Sequence, residues 1–512
     1  MKAITRKRLE RRKRKIERRL ARQGKRQAQA KRRGGPVMNP DGKKYEVSEK
    51  NRGMAFGGIG LMHRVAERTG LIEAIDRRLH LLKFHLPYHE SDHVLNFAFN
   101  ALCEGTCLED IELRRQDEVF LDAVGAETIP DPTTAGDFCR RFSEGSVRTL
   151  MEAIDESRLN VWRKQPDEFF DEAVIDVDGA LVTTKGECKG GMDISYKGTW
   201  GYHPLLVTLA NTGELLSVLN RPGNKKSEDG AAAEIDRAIK LCAEAGFRRV
   251  RIRGDTAFSQ TEYLDGWDDA GVVFCFGYKA MKNLIEIAED LPKSLWTKPE
   301  RPAKYQVQTT PRRKPANVKR QIVREREYLN LELNSEEVAE FDYQPTACRQ
   351  SYRMIVIKKN ISQEKGENVL FDEVRYFFYI TNDKELTPAE VVFCANNRCD
   401  QENLIAQLAG GVRSLAAPVD NLISNWAYMV MTSLAWTLKA WTGLLLPTTG
   451  RWKEKHEAER RELLRMEFKT FVNAFMKIPC QIVQSARRTV FRVLSWNPHL
   501  TKFFRLCSVL NL

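Results

Sequence analysis

The chain has 512 residues, room for about three domains on the usual size prior, and its 42% hydrophobic and 29% charged content excludes a disordered or fibrous protein. Its net charge of +13 comes from one end: residues 1–35 hold 17 Lys and Arg against Glu10 and Glu17, a net of +15, which leaves the other 477 residues at −2. The 11 cysteines include no CxxC pair, which excludes a zinc ribbon or a disulfide framework and fits reduced thiols in a cytoplasm. The Arg-saturated start carries no apolar run, so no secretory leader is expected there.

The first 35 residues are good helix formers ending at Gly34-Gly35-Pro36, but Ile4, Leu9, Ile16 and Leu20 make only a thin apolar stripe. Such a tail suits phosphate binding, each contact adding salt-dependent affinity; the alternative is a solvated face. Residues 36–165 read as a helical, DNA-binding region. Ser91 is the expected cap of a helix with Val94, Phe97, Ala98, Ala101 and Leu102 at helical spacing. Asp131-Pro132-Thr133-Thr134 begins another, running through Phe138 and Phe142 and carrying Arg140 and Arg141, which could face a groove or solvent. His85, His89 and His93 have a metal-like spacing, but Pro87 breaks the helix that spacing needs, so a structural role is expected.

The pattern changes at Glu172. AVIDVDGALVTT, HPLLVTLA and ELLSVLN read as strands, AAAEIDRAIKLCAEAG as an amphipathic helix stopped by Gly246, and RRVRIRGD as the strand after it. This α/β order makes residues 166–280 the first part of a core. Residues 281–370 read as a β-rich insertion of short strands (KYQVQTT, REYLNLEL, SYRMIVIKK) with a basic cluster of Arg312, Arg313, Lys314, Lys319 and Arg320. Residues 371–447 return to the core, with EVRYFFYITN as a buried strand and Thr387-Pro388 starting a helix that holds NNRCDQENLIAQLAGG. Between Trp426 and Pro447 the only charge is Lys439, but the polar Thr432, Ser433, Thr437 and Thr442 favour a buried core helix over a membrane span. The last 65 residues read as helical and mixed in charge.

A phosphodiester-cutting site needs hard oxygen ligands, converging from a rigid core, for two divalent ions about 3.5–4 Å apart. One set fits. Asp176 and Asp178 lie two apart on one strand and share a face, with Gly179 leaving room beside them. Asp255 ends VRIRGD at the carboxyl end of its strand, where α/β sheets place their sites. Glu402 sits in the later helix, with Arg398 one turn before it. Each has a bland alternative: an Asp after a strand is commonly a turn residue, and a helical Glu is commonly solvated.

Taken in order, the motifs GIGLMHRVAERTGL, GTCLEDIELRRQD, IPDPTTAGDFCRRF, DVDGA, GYHPLLV with NTGELL, RPGN, RGDTAF, FYITN, NRCDQEN and SARRTVFRVLSWNPHLTKFF resemble the DDE transposases of bacterial insertion sequences, in the group-1 DDE-domain subgroup. The resemblance runs from about Gly57 to Phe504 and implies an α/β, RNase H-like core with an inserted β-domain between helical ends. It implies Asp178, Asp255 and Glu402 as the catalytic, metal-holding acids, with Asp176 the alternative at the first position because strand parity does not separate the two. Arg398 matches the Arg of the Tyr-Arg-Glu-Lys signature and would hold a phosphate, while Ala395 and Ala409 stand where its Tyr and Lys are expected. The implied cofactor is two Mg2+ (or Mn2+) ions. The implied partners are double-stranded DNA, as terminal inverted repeats and target, with a homodimer on it and no membrane. The implied setting is the nucleoid of a bacterial cytoplasm. The implied reaction is cleavage at the element's ends and transfer of the 3′-hydroxyl to target DNA. Trp296 could stack on an unpaired base or pack on the surface. An RNase H-like junction resolvase, a decayed transposase that only binds DNA, and an RNA-associated basic protein are the competing readings.

Overall fold

The computed structural model describes residues 3–31, 45–46, 51–85, 87–300, 317–365, 368–485 and 488–512. The basic tail is one long helix, α1 (Ala3–Lys31). Its Leu9 packs on the core and its Lys13 lies 5.3 Å from the Trp496 ring centroid. Strand β1 (Arg52–Met54) follows and pairs with β13 (Cys480–Ser485), which pairs in turn with β14 (Arg488–Val493), so the two ends of the chain share a three-stranded sheet. The junction is built on glycine: a Cβ on Gly58 would lie 1.8 Å from the Phe475 carbonyl oxygen. The strands β13 and β14 correct the all-helical reading of the last 65 residues. QIVQ and RTVFRV alternate as strands do, and RWKEKHEAERRELLRMEF does form a helix, Lys453–Arg465.

In the helical region, α2 (Glu90–Leu102) is buried along almost its whole length, and α3 (Pro132–Arg140) and α4 (Glu144–Trp162) follow. Asp131 caps α3 as its sequence predicts, its carboxylate accepting from the Thr134 amide at 2.9 Å. The cap of α2 is His89, in a capping box with Asp92, and not Ser91, whose hydroxyl instead donates to Asp76 at 2.9 Å. His93 is buried and stacks on Phe138 (centroids 4.2 Å apart), while the exposed His85 lies 3.2 Å from Glu90 and stacks on the exposed His89, the N-cap residue of α2.

The core is a mixed eight-stranded sheet. Strand β2 (Ala173–Gly179) lies inside it, third from one edge, followed in the chain by a small separate sheet of β3 (Val182–Thr183), β4 (Asp193–Ile194) and β5 (Trp200–Tyr202). Strands β6 (Leu205–Leu209) and β7 (Glu214–Leu219) then add antiparallel on one side of β2. After helix α5 (Ala231–Ala245), β8 (Val250–Gly254) adds parallel on the other side of β2. Helix α6 (Thr261–Asp269) leads to β9 (Val273–Tyr278), again parallel. Strands β4, β5 and β9 were not expected from the sequence, and β3, expected as a continuation of β2 in AVIDVDGALVTT, lies in the separate sheet. FCFGY has no polar alternation because both faces of β9 are covered.

The strands in and after the segment 281–370 are not short. Strands β10 (Leu329–Tyr343), β11 (Tyr352–Lys365) and β12 (Asn368–Thr381) are long, and β12 pairs antiparallel with β9. The full order is β10-β11-β12-β9-β8-β2-β6-β7. KYQVQTT lies outside the described residues. The chain returns through α7 (Pro388–Asn396) and α8 (Cys399–Ala406) to α9 (Leu422–Leu444).

Helix α9 is buried from Ser424 to Leu444 and packs against α2, α4 and β7; no helix among the described residues is long and apolar enough to cross a membrane. Glu214, fully buried on β7, fastens these layers together. Its carboxylate accepts from Trp162 of α4 and Trp441 of α9 at 2.9 Å each, from Thr212 at 2.8 Å, and from Arg158 at 3.3 Å. Four donors satisfy a charge that would otherwise be prohibitive to bury.

Candidate active site

Strands β2 and β8 run parallel, so their carboxyl ends open on the same edge of the sheet. Asp178 stands near the end of β2 with its side chain 20% exposed. Its Oδ1 accepts from the Gly179 amide at 2.8 Å, and its Oδ2 lies 3.5 Å from Arg398, too long for a firm ion pair. Burial, together with repulsion from Asp255 and Glu402, pushes the Asp178 carboxyl up to about 6, against the pull of the Gly179 amide and Arg398.

Asp255 follows β8 directly and accepts from the Ala257 amide at 2.9 Å, the turn role expected of an Asp after a strand. Gly254 lets this turn sit down on the sheet, since a Cβ there would come 2.8 Å from Phe258 Cβ and 3.1 Å from Val177. Glu402 is exposed on α8 and makes no hydrogen bond or ion pair among the described residues. Its neighbour Gln401 is buried and donates to the carbonyls of Asp176 (3.1 Å) and Leu206 (3.2 Å), which docks α8 across β2 and β6. Sequence reasoning passed over Gln401; a polar residue beside the Leu404 packing position was the available signal.

Asp176 has a different environment. It is 1% exposed, and Arg253 of β8 grips it with two bonds, Nε to Oδ1 at 2.6 Å and the terminal nitrogen to Oδ2 at 2.8 Å. Arg253 also donates to the Cys394 carbonyl at 3.0 Å, tying β2 and β8 to α7. The arginine in VRIRGD, on a strand buried throughout, was the sign that a neighbouring carboxylate had to be consumed.

The helix expected to carry both Arg398 and Glu402 is broken between α7 and α8, and Arg398 is the N-cap residue of α8. Beyond α8 the chain widens into a π-helical turn, Gln407–Val412, a local geometry frequent at functional sites. Ala395 is buried and Ala409 exposed. Arg140 is neutralised by Asp137 (2.7 Å) and Asp420 (3.2 Å), and Arg141 is exposed beside it. Lys319 is exposed on the short helix Val318–Glu325, which also includes Arg320. Arg312, Arg313 and Lys314 lie outside the described residues. Trp296 is half-buried against the core under Lys358, 5.6 Å from its ring centroid.

Asp178, Asp255 and Glu402 offer only hard oxygen donors, and no arginine satisfies them as Arg253 satisfies Asp176, so their chemistry fits magnesium or manganese. Among the described residues no three acidic, His or Cys side chains are already closed into a metal-binding group.

The family model of Transposase DDE domain group 1 matches residues 44–512, and the chain belongs to that family. No curated protein matches it. Among solved structures it is similar to the piggyBac transposase synaptic complex with hairpin DNA, at 10% identity and a TM-score of 0.35, over 85% of this chain and 84% of that one.

Proposed function

We propose that the protein cleaves the ends of a bacterial insertion sequence and joins the freed 3′-hydroxyl to target DNA, with Asp178, Asp255 and Glu402 as its catalytic acids. The observation that carries this reading is the sheet edge shared by the carboxyl ends of β2 and β8, where Asp178 and Asp255 stand; burial, with the charges of Asp255 and Glu402, raises the Asp178 carboxyl, and Arg398 stands off at 3.5 Å. A carboxylate held up by like charges gains most from a cation. Membership of the DDE family supports the same assignment. Two Mg2+ or Mn2+ ions bound there would activate the attacking oxygen and stabilise the leaving one.

The residues divide the work. Asp178 and Asp255 present carboxylates from adjacent strands, and Glu402 reaches in from α8, which Gln401 holds in place. Arg398, at the start of α8, is set to hold a phosphate oxygen next to Asp178. Asp176 is a structural anchor for Arg253. We read strands β2, β6 and β7 with β8 and β9 as an RNase H-like core, supported by three antiparallel strands followed by two parallel ones. Two element ends must be held together, so we also propose a homodimer on double-stranded DNA, acting on terminal inverted repeats and target in the nucleoid of a bacterial cytoplasm.

The test is Mg2+-dependent nicking of DNA carrying the element's terminal repeats, comparing the native chain with Asp255→Ala. The expected outcome is cutting by the native protein and none by the variant; equal cutting by both would remove the chemistry from these acids. Ala395 and Ala409, in place of the family's Tyr and Lys, favour a second reading, a repurposed protein that binds DNA without cutting it. DNA binding without cleavage by either form would select that one.

A further inference from the structure

Outside the three acids, the loop between β7 and α5 is built around two buried side chains that the cutting reaction does not use. Its sequence is RPGNKKSEDG, residues 221–230. Arg221 is 5% exposed, and its guanidinium gathers the loop's carbonyls: one terminal nitrogen donates to Lys226 (3.1 Å), Ser227 (3.0 Å) and Asp229 (2.6 Å), while Nε donates to His203 (2.9 Å). The other terminal nitrogen is buried without a hydrogen-bond partner. His203, also buried, bonds through Nδ1 to the Lys225 carbonyl at 2.8 Å. Gly223 has no room for a side chain, because a Cβ would meet the Asp193 carbonyl oxygen at 2.3 Å. The turn is therefore clamped from within.

That clamp decides what faces outward. With the carbonyls of Lys225, Lys226, Ser227 and Asp229 drawn inward, the side chains of Asn224, Lys225 and Lys226 are left exposed at the tip. The loop's own acids do not cancel them fully. Asp229 and Glu228 act on the buried Arg221, as its electrostatic environment records. Lys225 has only a long 3.9 Å contact with Asp229, and Lys226 has no ion pair among the described residues. The exposed tip is cationic.

Its position is fixed by register. Gly179, Leu205 and Leu219 are successive partners across β2, β6 and β7, so the loop after β7 leaves the same sheet edge that carries Asp178. Two strand spacings put it about 10 Å to the side, roughly three nucleotides along a strand that rises about 3.4 Å per residue. His203 spans part of that gap: its ring occupies the space where a Gly179 Cβ would stand, 2.6 Å from Nε2.

We propose that the Asn224–Lys225–Lys226 tip is a contact for the sugar–phosphate backbone of DNA, flanking the bond presented to the acids, with Arg221 and His203 as positioning residues. The proposal rests on the cutting reading for which strand lies there, and adds a surface that reading does not require.

The experiment uses the full chain and the variant Lys225→Ala/Lys226→Ala, both on the exposed tip, with thermal melting as a check on folding. Binding to a fluorescent duplex of arbitrary sequence is followed across a salt series, and nicking of the repeat-bearing DNA across a DNA series. The variant should give a log–log salt slope shallower by about 1 to 2, the loss of one or two phosphate contacts. Its half-saturating DNA concentration for nicking should rise about tenfold, as expected for that loss. An unchanged slope and unchanged half-saturation overturn the loop's role, whatever Asp255→Ala does. A shallower slope in a chain that never nicks DNA keeps the loop and sinks the cutting reading alone.

Discussion

Two aspartates separated by one residue on β2 behave in opposite ways because their neighbours differ. Asp176 completes a buried bidentate pair with Arg253, so Asp176→Asn leaves a buried guanidinium without its counter-charge and should cost about 3–5 kcal/mol of stability. Asp178 has no such partner. Its carboxyl is raised to about 6, chiefly by burial, so in metal-free protein the unfolded chain releases this proton near the ordinary 3.8 while the folded chain holds it. The native protein therefore loses stability as pH rises between those values and is level above them. Asp178→Asn should abolish nicking and melt higher than the native chain at neutral pH, by about 1–3 kcal/mol once its partial exposure is allowed for. Melting curves of both variants across pH, read beside nicking assays, check the division; a destabilised Asp178→Asn would reverse the two assignments. The sequence made the pair visible but could not rank its members, because both point to one face. The missing fact lay on β8, in the arginine that reaches across to one of them.

At the scale of elements, runs of β-branched and apolar residues between turn signals and helices with caps were legible: β2, β6, β7, β8 and the Asp131 cap of α3 fall where the residues put them. What escaped was decided by contacts distant in sequence. Strand β9 is apolar on both faces, β13 joins β1 from the far end of the chain and carries β14 beside it, and α7 and α8 separate where Arg398 turns the chain. Helix α9 was legible as buried, and its interior lysine has a consequence. Lys439 lies 3.8 Å from the Trp436 ring centroid, donates to the Leu464 carbonyl at 2.8 Å, and burial lowers it from its ordinary 10.5 to about 7. Between those values the unfolded chain binds a proton that the folded chain does not, so this group makes stability rise with pH from about 7 toward 10.5. Lys439→Met keeps the shape and removes the ionisation. It should raise stability at neutral pH by about 1–3 kcal/mol and flatten the alkaline rise. Chemical denaturation at neutral and alkaline pH checks it; a variant that unfolds more easily at both would mean the bond to Leu464 outweighs desolvation.

For the whole molecule the charge is divided: residues 1–35 carry +15 and the remainder −2. A near-neutral body holding a site for a polyanion needs an attractive field from elsewhere, and α1 supplies it along a helix touching the body at only a few places. Lys13 over Trp496 and Leu9 on the core are such touches, and an exposed cation–π contact is worth about 0.5–1 kcal/mol. Removing residues 1–35 should therefore leave the melting temperature within a few degrees of the native value. It should sharply weaken binding to duplex DNA of arbitrary sequence and lower the log–log salt slope by several units, since each lost phosphate contact removes about 0.9. In the proposed reaction, cutting belongs to the body. The truncated chain should still nick repeat-bearing DNA with Mg2+ at higher DNA concentrations, and should stop when Asp255→Ala is added. Loss of nicking at every DNA concentration, with melting unchanged, would mean that the helix delivers DNA into the site and does more than raise its local concentration.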